Sequence, residues 1–101
     1  MDRNVLISKI EDWCNELTKQ DEKNWKPELV TLFSKRFSYD ENSKYVRVWY
    51  TSGSQKSVYA FVDYDGNIYK PSGWKSPAKG IRGHIDNPIM NSRDLYMRSL
   101  N

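Results

Sequence analysis

The chain has 101 residues, 38% of them hydrophobic and 14% aromatic, which supplies one hydrophobic core in a single α+β domain over residues 1–101 and excludes two domains. Its one cysteine, Cys14, excludes an internal disulfide, and the longest aliphatic run, Val5-Leu6-Ile7, falls far short of the roughly 20 apolar residues of a membrane span. The net charge of +3 is unevenly spread, with seven Lys/Arg against nine Asp/Glu in residues 1–42 and nine against four in residues 43–101, an asymmetry that points to a polyanionic partner for the second half.

The first expected element is an amphipathic helix. Leu6, Ile10, Trp13, Cys14 and Leu17 recur at the spacing of one helical stripe, and Asp2 or Asn4 can cap its start. The polar run Thr18–Asn24 ends it. A second helix is expected from Pro27, which suits a first turn. Its buried face would be Leu29, Val30, Leu32, Phe33 and Phe37, with Lys35 and Arg36 in the last turn.

After Ser38 the pattern alternates. Residues 44–50 read as a strand, Thr51–Gln55 as a turn and residues 57–64 as a second strand. Asp65-Gly66 signals a type I′ hairpin, which would set Tyr64 opposite Asn67, Val62 opposite Tyr69 and Phe61 opposite Lys70. A third strand, residues 67–70, stops at Pro71. Residues 71–88 read as loop, and Asn91–Arg98 as a short C-terminal helix. The expected fold is α+β: two N-terminal helices packed on a three-stranded antiparallel β-meander, followed by a basic loop and a short C-terminal helix.

In this register Val58, Ala60, Val62 and Tyr64 form the floor for the helices. A solvent-facing platform would then combine Tyr45, Arg47, Trp49, Tyr59, Phe61 and Lys70, a composition suited to stacking bases and holding phosphates. Coverage of both faces is the competing expectation, because exposed Phe and Trp are costly in a free monomer.

The segment from Gly66 to Ile85 holds Lys70, Lys75, Lys79 and Arg82 and no acidic residue, with glycines, prolines, Tyr69 and Trp74 interleaved. Glycine lets backbone N–H groups approach an anion, and Arg82 can grip a phosphate at two points. Nucleic acid is therefore the leading candidate partner, through Tyr69, Lys70, Trp74, Lys75, Lys79 and Arg82. A protein partner that uses the same aromatic and arginine side chains as anchors is the alternative. Gly80-Ile81-Arg82-Gly83 matches a nucleotide-clamping GxxG pattern but lacks helices on both sides. Asp63-Tyr64-Asp65-Gly66 lacks the distal ligands of a calcium loop. His84 is the only histidine and has no nucleophile or carboxylate tied to it by spacing. No metal set, cofactor motif, small-molecule site or catalytic constellation is evident, so the expected function is not enzymatic. Nothing suggests a membrane partner, and the single cysteine and absence of an apolar leader suit an intracellular setting.

Ser57–Asp63, Gly66–Pro71, Trp74-Lys75, Pro77–Gly80, Arg82-Gly83 and Ile85, with Lys44-Tyr45 ahead of them, together resemble a family of small, uncharacterised bacteriophage-encoded proteins. The chain departs from that pattern at Ser72-Gly73 and at His84. The resemblance implies a viral origin, the cytoplasm of an infected host cell as the setting, and joint action of Lys70, Trp74, Lys75, Lys79 and Arg82. It implies no activity, and under it the alternative protein partner would be a host or phage protein that the chain binds or inhibits.

Overall fold

Helix α1 runs from Arg3 to Glu22 in the computed structural model, which describes residues 2–89. Asp2 is the cap: its carboxylate accepts from the backbone N–H of Asn4 at 2.8 Å and of Val5 at 3.3 Å. The stripe Leu6, Ile10, Trp13, Cys14 and Leu17 is the buried face, no member more than 4% exposed. Burial, with Glu11 adding to it, pushes the Cys14 thiol up to about 12, so Cys14 serves as a packing residue.

The second helix is corrected by the structure. Residues 27–33 make only a 3₁₀ turn, Pro27–Leu29, and a four-residue α2, Val30–Phe33. Leu32 and Phe33 stay 59% and 47% exposed, so this segment has no buried stripe to extend it. Phe37 belongs instead to strand β1, Arg36–Glu41. Phe37 and Tyr39 alternate toward the core while α1 takes two backbone donors of the same stretch. Lys35 N–H donates to the Asp21 carboxylate at 2.6 Å, and Phe37 N–H donates to the Thr18 hydroxyl at 2.9 Å.

Among the described residues the sheet has five antiparallel strands in sequential order, not three. β1 is followed by β2 (Tyr45–Ser52), β3 (Gln55–Asp63), β4 (Asn67–Tyr69) and β5 (Gly83–His84), the last lying within the stretch expected to be loop. The β2–β3 turn is Gly53-Ser54, with Gly53 at φ +60°, the left-handed start of a type II′ turn.

The β3–β4 hairpin differs from the expected type I′ register by one residue. Phe61 pairs with Tyr69 and Val62 with Ile68, and Gly66 has positive φ while Asp65 does not. Gly66 N–H bonds to Asp63 C=O at 3.0 Å, so a type I turn closes with a left-handed glycine. The site tolerates no side chain, because a Cβ on Gly66 would lie 2.7 Å from His84 Nε2.

A bulge corrects the assignment of faces. Val48 pairs with Ala60 and Trp49 with Val58, leaving Tyr59 as the extra residue. Tyr59 therefore turns to the helix side, 3% exposed, with Trp13 and Phe37 edge-on to it at 6.0 and 5.1 Å. The core under α1 gathers Val46, Val48, Tyr59, Ala60, Val62 and Ile68. On the opposite face Phe61 is only 1% exposed, and Tyr45 packs edge-on against both Phe61 and Tyr69. The open aromatic platform is thus corrected: Tyr59 belongs to the other face, and Phe61 is covered. The helix expected over residues 91–98 lies outside the described residues.

Candidate functional site

The basic arm begins where β4 meets Pro71. Neither Pro71 nor Pro77 can donate a hydrogen bond, yet the two form an isolated bridge. The pairing is carried by their neighbours: Ala78 N–H donates to Lys70 C=O at 2.9 Å, and Ser72 N–H to Ser76 C=O at 3.0 Å. These bonds close a tip, residues 72–76, that presents Trp74 and Lys75. The chain then swings out through Lys79 and Gly80, the latter at φ +98°, and returns when Arg82 N–H bonds to Ile68 C=O.

The arm tip is fastened to the far face of the sheet. Arg47 Nε donates to Trp74 C=O at 2.7 Å, while the guanidinium lies 4.6 Å from the centre of the Trp74 ring. Its other end donates from Nη1 to the Asp40 carboxylate at 2.9 Å, and its side chain is only 14% exposed. Lys56 adds a second cation, 3.9 Å from the Trp49 ring centre and 5.2 Å from that of Trp74. The order Asp40, Arg47, Trp74, Lys56, Trp49 is therefore a ladder that opens on an ion pair and then alternates cation and ring from Arg47 onward.

The six residues singled out from sequence have different fates. Lys75 and Lys79 are exposed, and Lys70 and Arg82 half-buried. Among the described residues Lys70, Lys75 and Lys79 take part in no ion pair. The six do not converge on a point: Trp74 and Lys75 occupy the tip, Lys70 and Lys79 flank the Ala78–Lys70 rung, and Arg82 lies at the base. Tyr69 is tied down, its hydroxyl donating to the Asp63 carboxylate at 2.8 Å. Burial first, and the Asp63 bond next, push the Tyr69 phenol up to about 12. His84 is a strut between turns, with Nε2 2.9 Å from Asp65 C=O and Nδ1 accepting from Asp86 N–H at 3.1 Å.

Sequence reasoning missed Lys56. Unbroken alternation sets it on the helix side with Val58, and only the bulge at Tyr59 turns both residues to the far face. Among the described residues no three metal-ligating side chains converge, and no helix is long and apolar enough to cross a membrane.

A protein-family model described as a family of unknown function matches residues 2–100. No curated protein and no solved structure matches the chain.

Proposed function

Because the chain belongs to the family of unknown function DUF7717, which brings no activity with it, we propose from the chain's own residues that it is a small non-enzymatic phage protein binding nucleic acid through its basic arm. The observation that carries the reading is the set of arm lysines, Lys70, Lys75 and Lys79, without an ion pair among the described residues. Cations strung along an arm suit a linear polyanion better than a compact one. The two rings among the six candidate residues are already engaged: Trp74 meets the Arg47 and Lys56 cations, and Tyr69 is held by Asp63. Binding on this reading is by phosphate neutralisation, so it tolerates any sequence and weakens steeply with salt. The viral origin and infected-cell setting rest on the resemblance of residues 57–85.

Fluorescence anisotropy with labelled single-stranded and duplex oligonucleotides tests this. For a duplex, log affinity against log salt should have a slope of about −3 to −4, and Lys75→Gln with Lys79→Gln should reduce it by about 2. No binding to any oligonucleotide at low salt would sink the proposal.

Protein recognition is the second reading. It is favoured by Trp25, Leu32 and Phe33, which are 38%, 59% and 47% exposed, with Trp25 stacked on Phe33 at 5.4 Å. A partner that survives nuclease treatment and is released by Leu32→Ser would select it.

A further inference from the structure

A second anion site is suggested by a cavity of about 180 Å³ between α2 and the β2–β3 hairpin. Its lining is Thr31, Ser34, Arg36, Thr51 and Gly53. One lining residue is an arginine, itself exposed, three carry hydroxyls, and none is a carboxylate or a large apolar residue. Such a lining offers little to an apolar ligand, and with an arginine and no carboxylate it disfavours a metal cation. Ser34 is 5% exposed and its hydroxyl donates to Val30 C=O, so it forms wall and leaves Thr31 and Thr51 as the available hydroxyls. Arg36 takes part in no ion pair among the described residues.

We infer that this cavity binds a phosphate group, with Arg36 supplying a two-point fork and Thr31 and Thr51 the hydroxyl donors. Strand register connects it with the arm. Arg36 is the direct partner of Thr51, and Thr51 of Lys56, so the three form one row across β1, β2 and β3. Lys56 in turn reaches the Trp74 ring. A free phosphate and a backbone phosphodiester offer the pocket the same oxygens. The pocket stands on its own lining, independently of the arm.

The test is amide NMR of the full chain titrated with inorganic phosphate at constant ionic strength. Saturable millimolar shifts are expected at Thr31, Arg36, Thr51 and Gly53, with affinity falling about tenfold in Arg36→Gln, a loss of about 1.4 kcal/mol. Thr51→Val, which keeps the shape and removes the hydroxyl, should weaken binding as well. Absence of saturable shifts at these amides, or equal affinity in wild type and Arg36→Gln, would overturn the inference. An oligonucleotide arm then separates the sources, with Lys23→Gln as the charge-matched control. Oligonucleotide binding reduced more by Arg36→Gln than by that control supports a phosphodiester. Phosphate binding at the pocket together with no oligonucleotide binding supports a free phosphate, and removes the nucleic-acid reading while leaving the pocket.

Discussion

Asp63 accepts four hydrogen bonds, from the backbone N–H groups of Asp65 and Asn67, the Asn67 side-chain amide and the Tyr69 hydroxyl. Burial by itself would raise its carboxyl, but the Asn67 and Tyr69 bonds outweigh burial and hold the group below the usual carboxylate range. A carboxyl depressed in the folded state contributes stability that is present above its unfolded value of about 4 and is lost as pH falls through the folded one. Asp63→Asn should therefore cost about 1–3 kcal/mol at neutral pH and lessen the loss of stability on acidification. Urea midpoints at pH 7 and pH 3 for both proteins check this, and equal midpoints at pH 7 would contradict it. The same network explains the misjudged hairpin. Asp65-Gly66 correctly signals a tight turn, but the choice of a three-residue loop is made by the Asp63 side chain, which captures the N–H groups that follow it.

At the scale of elements, α1 was legible because its stripe, cap and end are all local. Strand β1 was not, because Phe37 fits a continued helix as well as an alternating strand. The contacts that decide between them are distant: Thr18 on α1, and Tyr50 and Tyr59 on β2 and β3. The bulge at Tyr59 was equally invisible, being a property of pairing and not of either strand alone. In the arm, exposure of Lys75 and Lys79 was legible from cations without neighbouring acids, whereas the hold on Trp74 comes from Arg47, 27 residues away. Two variants separate the competing elements. Phe37→Ala removes a ring that touches two others and should cost about 3 kcal/mol, whereas Leu32→Ser on the exposed short helix should shift stability by about 0.5 kcal/mol or less. Chemical denaturation measures both, and comparable costs would restore the long second helix.

At the scale of the molecule, α1 carries more acids than bases, five against three. Glu11, Asp12 and Glu16 are exposed on α1, while the arm tip is fastened to the other side of the sheet. The shortest dimension of the molecule is 24 Å, and surface charges are screened within about 8–10 Å at physiological salt. The helix acids should thus hardly oppose an anion approaching the arm. Glu11→Gln with Glu16→Gln is expected to change oligonucleotide affinity by about twofold or less near 0.1 M salt, with a larger effect only in dilute buffer. Anisotropy titrations at two salt concentrations decide it, and a large gain at the higher one would mean that the two layers are not insulated.

The buried indole of Trp13 donates to Ile89 C=O at 2.9 Å, a bond that spans 76 positions of sequence. During synthesis the amphipathic helix is made first, and its central tryptophan waits for a carbonyl made 76 residues later. Until then that N–H has only water to satisfy it. A chain stopped short of Ile89 would keep the helix, the sheet and the arm but hand that indole N–H to water, at a cost of about 0.5–1.5 kcal/mol.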